Sequence, residues 1–282
     1  MIKISTTLLT GILLILGMFA CPLNSFAQFD IEFDGIIGKK SNSNPSKEVF
    51  EVDGIYYNKI SDTEVEVANL SDAFDDWFDK EKWRKKIYEV SIPSHIEYKG
   101  LKYTIISIGD YAYSNCENLK SVQIPNSVEI IGKYAFDYCT KLESVSIPSS
   151  VKSIGECAFN HCSELTSIII PNGVTIIPQR TFNGCKMLKS VTIPNTVSCI
   201  ASEAFYNCNS ITTIVLPSTV NKLDYRAFGN CFNLTTLTIK NPNISIEDWA
   251  FRHCNNLKTI TLPKMLKIRQ DLFPPTARII RK

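Results

Sequence analysis

The chain has 282 residues, 44% of them apolar, and its 30 basic and 28 acidic side chains leave a net charge of +2. That is the composition of a globular protein, neither disordered nor collagenous. With no net field to steer a polyanion, it excludes a strongly basic nucleic-acid binder. Ten cysteines in so long a chain do not make a disulfide mini-scaffold.

Residues 1–27 read as an export signal peptide. Lys3 gives a positive start, residues 8–20 form an apolar run broken only by Thr10, and Ser25 and Ala27 place small residues ahead of Gln28, as at a cleavage site. The run is short for a membrane span, and no later segment approaches one. A lipoprotein signal acylated at Cys21 is the rival reading, but bulky Phe19 fits that pattern poorly. Secretion is therefore the expectation, with a lipid anchor at Cys21 as the alternative.

Residues 28–48 are polar and weakly patterned, which reads as a mobile leader. Residues 49–107 read as an N-terminal β-hairpin cap. Its turns are expected at Asp53-Gly54, Ser61-Asp62 and Lys99-Gly100, each between apolar-rich runs. Within the cap, SDAFDDWFDKEKWRKK (71–86) is the one charge-dense stretch. Asp72, Asp75, Asp76 and Asp79 lack the order of a calcium loop. The expectation is a short helix capped by Ser71, docking through Phe74, Trp77 and Phe78, with acids first and bases last to suit its dipole.

From 108 to 268 the chain repeats with a period of 23. Cys116, Cys139, Cys162, Cys185, Cys208, Cys231 and Cys254 keep that step, as do Tyr113, Phe136, Phe159, Phe182, Phe205, Phe228 and Phe251. In residues 131–153, Ala135, Phe136 and Cys139 fall at i, i+1 and i+4, the inward stripe expected of a short helical turn. Leu142, Val145 and Ile147 then alternate as a strand, which Pro148 ends. One unit cannot bury its apolar face alone, whereas stacked units can. The expected architecture is an α/β repeat solenoid of seven 23-residue coils. A parallel strand ladder would form one face and short helical turns the other. Residues 269–282, with Pro274-Pro275 and Ile279-Ile280, would form a C-terminal cap.

The unit I-G-x-x-A-F-x-x-C-x-x-L-x-S-V-x-I-P-x-S-V resembles the BspA-like leucine-rich repeat family. The resemblance implies an extracellular or surface protein of a host-associated microbe, used for adhesion to host proteins or other cells. A fold-level likeness does not name a ligand.

The candidate chemistry is sparse. The cysteine column reads as buried small apolar side chains, because each falls on the inward stripe and no C-x-x-C spacing occurs. His161 and His253 share a column with Asn115, Tyr138, Gly184, Asn207 and Asn230, which reads as a solvent-facing spacer. No set of acid, base and nucleophile converges, so neither an enzyme nor a cofactor or metal is expected. The outward strand rows offer Ser190, Thr192, Thr213, Thr236, Thr238, Thr259 and Thr261 as candidate ligand contacts. Hydroxyl ladders between adjacent strands would explain the same columns without a ligand. The expected partner is a protein or extended glycan, bound by a secreted or surface-held monomer. A structural spacer with no ligand is the alternative.

Overall fold

The structure is a computed structural model, and it describes residues 48–69 and 77–282. The export signal, the leader and Ser71, Asp72, Phe74, Asp75 and Asp76 lie outside the described residues.

The repeat region is a solenoid with parallel strand ladders and little helix. Alternation of Ser/Thr with Val/Ile builds the first ladder, which puts one set of side chains in the core and the other in solvent. Its rungs are Glu89–Ser91, Ser121–Gln123, Ser144–Ser146, Ser167–Ile169, Ser190–Thr192, Thr213–Leu216, Thr236–Ile239, Thr259–Leu262 and Arg278–Arg281. From Ser121 to Leu262 paired rungs are in register at 23 residues, as in Thr213↔Thr236↔Thr259, while Glu89 of the first rung lies opposite Ser121. One rung precedes the first full repeat and one follows the last, so the solenoid makes about eight turns rather than seven. Arg278–Arg281 pairs in parallel with Thr259–Leu262 only 19 residues later, which shortens the last turn.

A second parallel ladder, not expected from the sequence, runs where each repeat opens. It links Leu101–Ile108, Ile130–Ile131 and Ser153–Ile154, and then Ile176–Ile177, Cys199–Ile200, Lys222–Leu223 and Ser245–Ile246. Two-residue rungs fall below the length at which alternation can be read, so the signal was too short to find.

The expected helical turns are absent, and the backbone bonding explains why. In residues 111–116 the amides of Tyr111, Tyr113 and Asn115 donate to Lys133, Ala135 and Asp137 of the next coil, at 2.7–2.8 Å. The intervening amides of Ala112, Ser114 and Cys116 close turns onto Gly109, Tyr111 and Tyr113. Every second amide is therefore spent between coils, leaving no i→i−4 series. Left-handed residues alternate with the turns: Tyr111 (φ 60°) and Asn115 (φ 61°), then Tyr134 (φ 55°) and Tyr138 (φ 54°), and so on to Trp249 (φ 65°) and His253 (φ 62°). Apolar spacing of i, i+1, i+4 fits this ribbon as well as a helix.

The core is one hydrophobic cluster threaded by an aromatic column. Trp83, Tyr113, Phe136, Phe159, Phe182, Phe205, Phe228, Phe251 and Phe273 follow one another with ring centroids 5.0–6.5 Å apart. Adjacent coils bring the rings so close that they stack, giving each neighbour interface an energy beyond burial. The column begins on the helix Trp77–Arg84 and ends just past a 3-10 turn, Gln270–Leu272.

At the N-terminal end Val49–Val52 and Ile55–Lys59 pair antiparallel through Asp53-Gly54, whose φ values of 51° and 78° give the twist a tight hairpin needs. Glu64–Val67 then pairs antiparallel with Ile55–Lys59 and parallel with Leu101–Ile108. His95–Tyr98 returns through Lys99-Gly100 (φ 52° and 75°) to the other edge of Leu101–Ile108.

Candidate functional site

The first ladder presents the seven hydroxyl side chains named above on its outer surface. Ser190, Thr192 and Thr213 are exposed, whereas Thr236, Thr238, Thr259 and Thr261 are half-buried by their neighbours. Ser167 pairs with Ser190 and Ile169 with Thr192, while Thr238 lies beside Thr261. The hydroxyl ladder expected between strands does not form: these seven side chains make no hydrogen bond to another protein group among the described residues. Side chain to backbone bonds occur one position earlier instead, where Thr166 and Thr235 donate to Glu143 and Thr212 of the preceding coil. The same outward row carries two apolar side chains in solvent, Ile169 at 68% exposure and Val215 at 43%. They flank Thr192 one coil to either side.

The cysteine column lies on the opposite side of the strands, in the core. All nine described cysteines are free and buried. From Cys139 onward each repeat thiol donates to the carbonyl of the aromatic residue one coil back: Cys139 to Tyr113, Cys162 to Phe136, and on to Cys254 and Phe228, at 3.1–3.3 Å. The Phe136 carbonyl already accepts the Cys139 amide, so the thiol fills its second lone pair. A small apolar body with a weak donor suits this place better than alanine or serine. Burial pushes the Cys116 thiol up to about 12 and the others from Cys139 to Cys231 well above their ordinary value, so none is a nucleophile. Among the described residues no three His, Cys, Asp or Glu side chains converge as metal ligands.

His161 stacks on Tyr138 with centroids 4.5 Å apart, and burial followed by the Lys186 charge holds its imidazole below the ordinary value. Both His161 and His253 occupy left-handed positions (φ 56° and 62°). Asparagine, histidine and glycine tolerate that conformation best, and they fill six of the seven places in the column, Tyr138 being the exception. The histidines therefore answer a backbone requirement. At Gly184 (φ 72°) a Cβ would come within 2.8 Å of the His161 ring, so glycine there also leaves room for its neighbour.

On the turn face, Asn160 donates to Asp137 at 2.7 Å and Asn183 to Asn160 at 2.9 Å, which makes an amide ladder. Burial raises the Asp137 carboxyl despite these bonds. Further along, the Arg226 guanidinium lies 4.9 Å from the Tyr225 ring and 5.1 Å from that of Trp249, and Arg252 lies 4.1 Å from Trp249. The signal for this cluster was a mixed column of Tyr111, Tyr134, Cys157, Arg180, Glu203, Arg226 and Trp249. Its members share a left-handed backbone and not a chemistry.

Of the charge-dense stretch, the helix Trp77–Arg84 is described. Trp83, which the sequence reading left out of the docking face, packs against Tyr56 and Tyr113. Among the described residues no helix is long and apolar enough to cross a membrane.

The model of the BspA type leucine-rich repeat region matches in six copies, over residues 93–190 and 175–280. No curated protein matches the chain. Among solved structures, a leucine-rich repeat protein of T. pallidum is 27% identical, with a TM-score of 0.61, over 74% of this chain and 91% of that one. A leucine-rich cell surface protein of Faecalibacterium prausnitzii is 19% identical, with a TM-score of 0.44, over 86% and 95% of the two chains. With repeat motif, register and ladder architecture in agreement over most of its length, the chain belongs to the BspA-type leucine-rich repeat family.

Proposed function

We propose that this protein is an exported, non-catalytic binding module held outside the cell, which contacts a protein partner through the outer surface of its first strand ladder. Residues 1–27 direct export and 28–48 form a leader. Residues 49–107 and 269–282 cap a solenoid of 108–268. One observation carries the reading. Ile169 and Val215 stand in solvent on one row, beside hydroxyl groups that have no side-chain partner among the described residues. An apolar centre ringed by small polar groups is how protein interfaces are organised. Hydroxyl side chains also lose little rotamer freedom on contact.

The test takes a partner captured by the parent protein from host matrix extract, purifies it, and compares its affinity for Ile169→Asp, Thr213→Arg and Thr236→Arg. At least a tenfold loss is expected, with melting temperatures unchanged. Normal binding by all three, with binding lost on substitution of Trp77, would move the site to the helix. Capture that no surface substitution weakens would favour a spacer role.

A further inference from the structure

We propose a second binding site, on the turn face of the last coils, for a neutral sugar ring of a glycan chain. A cleft of about 190 Å³ opens there, lined by Asp248, Trp249, Arg252, Arg269, Asp271 and Leu272. It is smaller than a drug-sized pocket, and suits one ring of an extended molecule.

Its charges cancel and are fixed in advance. Arg269 is held between Asp248, at 2.6 Å, and Asp271, and each carboxylate retains lone pairs for a ligand. Arg252 donates its Nε to His253 at 3.1 Å, and among the described residues no carboxylate bridges it, so its terminal N–H groups remain to donate. Trp249, 45% exposed, adds an aromatic wall that shares its ring surface with the guanidiniums of Arg252, at 4.1 Å, and Arg226, at 5.1 Å.

This set of groups discriminates between ligand classes. An anion would meet the carboxylates of Asp248 and Asp271, and a cation would meet two guanidiniums. An apolar segment would bury Arg252 with no carboxylate partner and strip water from the Arg269 ion pairs. A sugar ring offers neighbouring hydroxyls that both donate and accept, together with C–H groups for the part of the indole left exposed beside the two guanidiniums. Tyr225, 39% exposed and 5.5 Å from Trp249, extends the aromatic surface one coil back, where the next ring of a chain would lie.

The experiment presents the full-length mature chain with neutral β-glucan, chitin, mannan and galactan oligosaccharides, read by saturation-transfer NMR and calorimetry. Binding of at least one class is expected. Trp249→Ala and Asp271→Asn should each weaken it at least tenfold, while Ile169→Asp, on the other face, leaves it unchanged. Asp271→Asn keeps the Asp248–Arg269 pair, so a loss of affinity with an unchanged melting temperature reports on the site and not on folding. The proposal is overturned if no neutral oligosaccharide binds at millimolar concentration, or if both variants bind as the parent does. It is equally overturned if the cleft prefers a sulfated polysaccharide or an acidic peptide in a manner lost in Arg252→Ala.

Discussion

Replacing Phe182 with alanine tests the central packing argument. The ring is fully buried and sandwiched between Phe159 and Phe205, at 5.5 and 5.3 Å. Removing it leaves a cavity that belongs to two coil interfaces, because a solenoid coil touches only its neighbours. A buried Phe→Ala change costs about 3–5 kcal/mol, and the upper half of that range applies where both ring faces are stacked. Asn183→Ala is the neighbouring control. Its amide donates to Asn160 at 2.9 Å, so it should cost about 1 kcal/mol and not zero. Urea unfolding of the parent and both variants gives the difference. Hydrogen exchange should show faster opening of the coils on either side of residue 182 first. Equal midpoints for the two variants, or uniform loss of protection along the chain, would refute the division into inward and outward columns.

Other consequences follow from the same geometry. Burial raises the thiols of Cys116, Cys139, Cys157, Cys162, Cys185, Cys208 and Cys231, so the native state keeps protons that the unfolded chain releases. Their contribution is complete below about pH 8.5 and is lost as pH climbs toward the raised folded values. Unfolding midpoints recorded from pH 7 to 11 should drop steeply above pH 9, and a flat profile contradicts buried thiols. Thiol titration of the native protein should find few reactive groups, and titration after unfolding without reductant should find the nine described cysteines; disulfide-linked peptides from neighbouring coils would overturn this. Phe273→Ala, which removes the last ring of the column, should speed amide exchange in residues 259–282 while the first coils keep their protection.

The repeat was legible because its energetics are local and periodic. Every coil needs the same small residue under the same ring, so Cys116 to Cys254 and Tyr113 to Phe251 keep one step and announce a solenoid. The strand rungs were legible for the same reason, since Ser-Val-Ser and Thr-Ile-Thr alternate as a half-buried strand must. What hid was the hydrogen bonding. Side-chain spacing reports which positions face the core, not where an amide sends its bond, and Tyr113 donating to Ala135 leaves no trace in apolar periodicity. The left-handed column did leave a trace. Asn115, His161, Gly184, Asn207, Asn230 and His253 are residues that accept positive φ, and recurrence at a fixed step argues for a backbone requirement before any chemistry.

Sites follow the opposite logic from coils, and this decides where function can be sought. A position fixed by stacking must look alike in every repeat, so the uniform Ser/Thr row alone says little about binding. Information lies where a column breaks its own rule. Ile169 and Val215 interrupt a row of hydroxyls on the strand face with apolar side chains that stand in solvent. Trp249 and Arg226 belong to a turn column that keeps a backbone conformation but no side-chain rule, its first members being the stacked pair Tyr111 and Tyr134, 4.7 Å apart. At that turn position a bulky L-residue in left-handed backbone costs about 1–2 kcal/mol. The coil-to-coil amide bonds of Tyr111, Tyr134, Cys157, Arg180 and Glu203 offset this cost, whereas among the described residues the amides of Arg226 and Trp249 make no such bond. Where the backbone cost is met in that way, the side chain is released from structural duty. The turn face is therefore as able to carry specificity as the strand face, and its last coils, where Trp249 and Arg252 meet the paired Asp248, Arg269 and Asp271, are where that variation has gathered.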